Sequence, residues 1–433
     1  MKNGNNKTII INMKPPENTK KEPTLWQTLL DSVIFCVCAV LIGIMTGAAD
    51  AFFGIVLLKV TDIRTAYPLI FIPFLALAGL LIYFMYDRFG KEVSQGMNLI
   101  FERAQSKAKT IKLRLIPFVT ISTWITHLFG GSAGREGVAV QIGGTLGSFV
   151  SQRIRLSNKN SAKILTVTGM AAGFSGLFQT PIAAVFFAAE VLSAGKLEIS
   201  ALLPTLIASY TSYHVSSFLG LEKFTVSSDI DFHISQETLL PFCIAAICFG
   251  LIGGGFALAQ KTAKKLFKKY IKNPYLRIAV GGIAVSVFSL ILYKGRYSGL
   301  GTNIISAAFS GGEIYYWDFA LKFIFTVVTL SVGFQGGEVT PLFAIGASLG
   351  AVLAGLFGMP VLIFAALGYC AVFGAATNTL IAPMFIGAEV FGYKYMPFFF
   401  AVCTIAYMFN GNNSIYTLQK RETDVSNIIK FLK

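Results

Sequence analysis

Residues 130–147 read GGSAGREGVAVQIGGTLG, and the reading of the whole chain starts from them. Arg135 and Glu136 stand at the end of a long uncharged segment. No Asp, Glu, Lys or Arg lies between Arg114 and Arg135, and none between Glu136 and Arg153. A carboxylate at such depth is costly and marks a functional site by default. Glycines at 130, 131, 134, 137, 143 and 144 surround the pair. Glycine lets backbone come close to a ligand and presents bare N–H groups. The apolar run from Val138 predicts a helix whose N-terminus falls at residues 134–137. Free N–H groups and the helix dipole attract an anion there. Glu136 is itself an anion at that place. A tethered carboxylate can compete with a free anion for the site, and it can carry a proton.

Around this stretch the chain reads as a polytopic membrane protein. It has 433 residues, 54% hydrophobic and 13% charged, with a mean hydropathy of +0.66. Soluble proteins carry about a quarter charged residues. Uncharged runs at 32–49, 65–86, 115–134, 164–189 and 238–260 are near or above the ~20 residues that a spanning helix needs. The run 339–388 must hold at least two helices, with breaks expected at 358–360 and around Gly374. The net charge of +15 does not indicate nucleic acid, because the basic residues sit in short loops between apolar spans. This is the positive-inside pattern, which places loops 107–114, 153–163 and 261–272 and the N-terminal arm in the cytoplasm. The acidic loop 222–237 then lies outside. The lysines of 261–272 are read as anchors to lipid headgroups. No cleavable export signal precedes the first span. The six cysteines read as small apolar fillers. His127, His214 and His233 share no metal-ligand spacing, and neither a cofactor nor a metal is expected.

The chain is duplicated. Residues 169–191 (GMAAGFSGLFQTPIAAVFFAAEV) match 368–390 (GYCAVFGAATNTLIAPMFIGAEV) at an offset of 199, from Gly169 to Gly368 and from Glu190 to Glu389. IGGTLG at 142–147 matches IGASLG at 345–350 at an offset of 203. In transporters such symmetry marks inverted repeats with a substrate site near the midplane, between half-helix N-termini. The offset sets GGEVTP (336–341) opposite AGREGV (133–138). Two helix starts facing one point make a small anion cage. Glu190 and Glu389, at equivalent helix ends, are expected to hold backbone N–H groups of neighbouring turns.

These motifs resemble those of the CLC family of chloride channels and anion/proton antiporters, from about residue 30 to about 420. GREGV at 134–138 resembles GREGP, whose glutamate gates and carries protons. GGEVTP resembles GxFxP, and GMNLI at 96–100 resembles GSGIP, whose serine coordinates the anion. SIY at 414–416 places Tyr416 at the inner gate. The departures are Met97 for that serine, Val138 for the proline, and Val339 for the phenylalanine with Glu338 before it. Val191 replaces the second of the paired inner glutamates. This set is similar to the fluoride-specific subfamily.

The resemblance implies an all-α polytopic fold of roughly eighteen helices in two inverted-topology repeats of about 200 residues each. The expected organisation is a cytoplasmic arm (1–28), a transmembrane domain (29–420; repeats near 29–220 and 238–420) and a cytoplasmic tail (421–433). It implies a homodimer in the cell membrane that exports fluoride against protons. Glu136 and Glu338 are the expected gating and proton-carrying groups. Gly96, Met97, Asn98, Gly134, Arg135, Gly137, Val138, Val339, Thr340 and Tyr416 are the expected anion-binding residues. Met97 brings no hydrogen-bond donor; its thioether either narrows the path or alters the aim of the helix start. Ser at 97 and Phe at 339 would have favoured a chloride exchanger or channel, and both are absent. An intramembrane enzyme would need a nucleophile–base or metal constellation at depth, and the sequence offers none.

Overall fold

The computed structural model describes residues 25–106, 110–154, 160–226 and 232–421. Most of the N-terminal arm, the tail beyond Arg421, parts of the loops 107–114 and 153–163, and the acidic pair Asp229 and Asp231 lie outside the described residues. Among the described residues the chain forms seventeen α-helices and no strand.

Five helical spans are long and apolar enough to cross a membrane, including Gln236–Tyr270, Pro274–Ile291 and Val339–Phe357. Others stop partway. Pro181–Glu190 has 10 residues, about 15 Å at 1.5 Å per residue, or half of a ~30 Å hydrocarbon core. Such half-helices are stable only inside protein, which satisfies the polar groups at their ends. The sequence stops them at matched places. Ser161–Phe178 ends at Gln179 (φ 58°), and Val361–Thr377 ends at Asn378 (φ 55°), 199 residues later. The break expected around Gly374 is therefore displaced. Gly374 lies inside its helix, packed against the Pro383 ring, and the left-handed Asn378 ends it. The run 339–388 holds three helices, Val339–Phe357, Val361–Thr377 and the start of Ile381–Phe391.

Two contacts tie the halves together by the same chemistry on each side. Glu190 accepts from the amides of Leu380, Ile381 and Ala382 at the start of Ile381–Phe391, at 2.5, 3.0 and 3.4 Å. Glu389 accepts from Ile182 and Ala183 at the start of Pro181–Glu190, at 3.1 and 2.9 Å. Each repeat caps a helix of the other, as expected of both residues, and the caps satisfy amides that no intrahelical carbonyl reaches.

Within each half, one glycine pair sets the helix spacing. A Cβ on Gly143 would stand 2.0 Å from the Gly169 carbonyl oxygen, and one on Gly346 2.0 Å from that of Gly368. The backbones touch where the repeat requires it. Gly346→Ala is expected to cost on the order of 3 kcal/mol of stability through overpacking. Thermal unfolding in detergent measures it, and an unchanged midpoint would contradict the close packing.

Candidate functional site

The expected helix start at residues 134–137 is present: the helix runs Glu136–Arg153 with Arg135 at its N-cap. Its repeat partner runs Val339–Phe357 with Glu338 at the N-cap. The two starts are joined back to back. Gly134 N donates to Gly337 O at 2.5 Å, and Gly337 N donates to Gly134 O at 2.8 Å. A Cβ on Gly134 would stand 2.8 Å from the Pro341 ring, so only glycine admits this approach.

Glu136 spans the junction. Its Oε2 accepts from Thr340 N at 3.1 Å and from Thr340 Oγ1 at 2.5 Å, with Arg135 N at 3.3 Å. The residue is fully buried. Its carboxylate thus lies on the N-terminus of the other repeat's helix, where that helix start would otherwise hold an anion. Arg135 Nε is 3.7 Å from Glu136 Oε1, a loose approach. Two buried nitrogens of Arg135, Nε and Nη1, donate no hydrogen bond, which leaves this guanidinium with capacity for an anion.

Next to the junction opens a cavity of about 610 Å³. Gly96, Met97, Asn98, Gly137, Glu338 and Tyr416 all line it, so six expected site residues meet there from four separated segments of sequence. Met97 begins the helix Met97–Ala104 after Gly96 at φ 52°. The Met97 methyl lies 4.0 Å from a Cβ position on Gly137, and Glu338 Oε2 lies 3.9 Å from the same point. Tyr416 stacks on Phe101 (centroids 5.2 Å apart) and meets Phe187 edge-on. The Ser414 hydroxyl holds its loop by accepting from Tyr416 N at 3.2 Å.

Some expected donors are already engaged. Val138 N donates to Arg135 O, Gly96 N to Val93 O and Asn98 N to Gln95 O. Val138 is core, not lining. Asn98 lines the cavity, and its Oδ1 accepts from Thr417 Oγ1 at 3.1 Å. Val339 is also fully packed. Two glutamines were missed. Gln141 Nε2 donates to Gly137 O at 3.2 Å, and its buried Oε1 has no partner. Gln260 Nε2 donates to Glu338 Oε1 at 2.9 Å and fixes that carboxylate at the cavity wall. Both are lone amides in apolar runs, a signal that sequence alone shares with ordinary buried polar residues.

The lysines of 261–272 have a second setting. Lys261, Lys264, Lys265 and Lys268 line the cavity with Glu338 and Met97. Their spacing puts them on one helix face, and that face borders the cavity mouth.

The profile of the family described as voltage gated chloride channel matches residues 78–411. The chain belongs to this family. Among members of the voltage gated chloride channel family, a Pseudomonas syringae pv. tomato protein named chloride/fluoride channel protein is 35% identical over 388 residues, 88% of this chain and 85% of its own. A Yersinia pestis H(+)/Cl(−) exchange transporter is 26% identical over 73% of this chain and 70% of its own. The crystal structure of a CLC-type fluoride/proton antiporter matches with a TM-score of 0.89 at 48% identity, over 93% of this chain and all of that one. A slow cyanobacterial Cl−/H+ antiporter shares the fold, with a TM-score of 0.77 at 19% identity over 89% of this chain and 96% of its own.

Proposed function

We propose that this protein is a membrane antiporter that exports fluoride in exchange for protons. The observation that carries the reading is the Glu136 carboxylate on the amide and hydroxyl of Thr340, at the meeting of two helix starts. Ionised, Glu136 takes the place of the anion and closes the path. Protonated, it gives up its charge and its hold on Thr340. The freed donors then donate to fluoride, a strongly hydrated ion that leaves water only for other donors. The likeness to a CLC-type fluoride/proton antiporter supports fluoride as the ion. Efflux from proteoliposomes, read with fluoride and chloride electrodes and a pH electrode, tests this. Fluoride efflux with stoichiometric proton entry is expected. Chloride moving at the fluoride rate would overturn the ion, and fluoride movement without protons would overturn the coupling.

The basic cavity mouth faces the cytoplasm in this reading, because loops rich in Lys and Arg stay inside. Both termini then lie inside as well. The working assembly is a homodimer, as the family resemblance implies.

Met97 takes part in ion choice. Its methyl lies near Gly137, 4.0 Å from a Cβ position there, where a serine would offer a hydroxyl donor instead. A donor there adds more to the binding of chloride, which the site without it holds poorly, than to that of fluoride. Met97→Ser is expected to cut the fluoride-over-chloride preference about tenfold, the worth of one hydrogen bond of ~1.4 kcal/mol. Relative efflux rates for the two ions check it, and an unchanged ratio would remove Met97 from ion choice.

A further inference from the structure

The mouth of the cavity carries a charge pattern that the exchange chemistry itself does not use. Lys261, Lys264, Lys265 and Lys268 come from the end of the helix Gln236–Tyr270, and Arg277 comes from the neighbouring helix Pro274–Ile291. Glu338 is the only acid among the residues lining this cavity. None of the four lysines makes an ion pair among the described residues. The equivalent cavity in the other repeat differs. It is lined by Gly301, Thr302 and Asn303, the counterparts of Gly96, Met97 and Asn98, and by the end of the first helix, Leu25–Ala66. There Arg296 is bound to Asp318 at 2.7 Å, and Arg64 donates to the His127 carbonyl at 3.1 Å. Lys294 also lines that second cavity, and Arg277 donates to the Ile271 carbonyl at 3.4 Å, so the difference is one of number: four lysines without an ion pair among the described residues line the first cavity.

The lysines are also in register with the site. Gln260, which holds Glu338, directly precedes Lys261. Lys268 follows eight residues after Gln260, about 12 Å along the helix at 1.5 Å per residue. Charges spaced over that distance act on an approaching ion across about one Debye length at physiological salt.

We propose that Lys261, Lys264, Lys265 and Lys268, with Arg277 opposite, collect small anions at the mouth and raise their local concentration in front of Glu338. The inference rests on the antiporter reading and adds to it a means of gathering anions at this mouth. The lysines carry charge but no fitted geometry, so they gather monovalent anions without choosing among them.

The test compares the wild type with K261Q/K264Q/K265Q/K268Q and with the same four positions changed to arginine, in proteoliposomes. An impermeant electrolyte sets the ionic strength between about 10 mM and about 1 M, where the Debye length falls from about 30 to about 3 Å. At low ionic strength the glutamine variant is expected to show a KM for fluoride about tenfold above the wild type. At high ionic strength the two should agree within about twofold, since the field is then screened. The arginine variant should follow the wild type throughout, and the fluoride-over-chloride ratio should be the same in all three. Equal KM values at low ionic strength, or a difference that salt leaves intact, would overturn the proposal. Repeating the series in neutral-lipid vesicles separates the remaining reading. A defect that vanishes there would assign the lysines to anionic headgroups and overturn the proposal. The wild type alone decides the antiporter reading. If it moves chloride and not fluoride, that reading falls, and the KM series with chloride still decides whether the lysines gather anions. If it moves no anion, both fall.

Discussion

Replacing Glu136 by alanine is expected to abolish proton uptake driven by a fluoride gradient, down to the leak of protein-free liposomes. The carboxylate lies across the junction of the two helix starts, and Thr340 holds it by two donors. Alanine removes the charge that closes the path and the group that carries the proton. Any anion flux that remains is then passive and runs down its own gradient. Glu136→Gln separates the two roles. It keeps the shape and places an amide on Thr340, yet it cannot take or release a proton, so it should also lose proton uptake. A pH electrode in lightly buffered vesicles reads both variants. Proton uptake at the wild-type rate in either one would remove Glu136 from the coupling.

Much of this site was legible because the chain is duplicated and because charge is rare in it. Glu136 stood out as an acid between two long uncharged runs. The offsets of 199 and 203 set it opposite GGEVTP before any geometry was known. Their difference of four residues is itself structural. Residues 154–160 join the paired helices in the first half and only 358–360 in the second. The reciprocal caps by Glu190 and Glu389 were legible for the same reason, since both acids sit at equivalent helix ends.

What was not legible depends on orientation about a helix axis or on small choices at helix ends. The stop at Asn378 rather than Gly374 is one case. Glycine is the usual signal for a helix end, but here Gly374 serves close packing and an asparagine takes the left-handed turn. Val138 was placed at the anion because it follows Gly137, yet its amide closes the first turn onto Arg135. The lysine face is the third case. Its spacing at 261, 264, 265 and 268 was visible, but a long basic helix end faces headgroups or a cavity according to what packs beside it. Helix Pro274–Ile291, which follows directly, and the loop at Tyr416, far away in sequence, line the same cavity.

The second large effect is expected at Glu338. An exchanger with Glu136 at the junction needs a proton route from there to the basic mouth, and Val191 leaves no carboxylate where the family's chloride exchangers place one. Glu338 lines the cavity between the junction and the mouth, with its Oε2 3.9 Å from the Cβ position on Gly137. Gln260 donates to its other oxygen and keeps it on the wall, facing the path. As the N-cap of Val339–Phe357 it also stands where the helix dipole favours negative charge. In the proposed exchange a fluoride arriving beside it brings a second negative charge to close range, and a proton carried with the anion offsets that repulsion, which is what coupling requires. Glu338→Gln keeps the shape and offers a donor to fluoride but releases no proton. It should bind fluoride and lose exchange by about a hundredfold or more, the range in which a positioned acid–base group contributes. Fluoride binding by calorimetry and exchange in liposomes are read on the same preparation. Loss of both would mean a damaged site. Exchange at the wild-type rate would mean that protons reach Glu136 by a route that avoids Glu338.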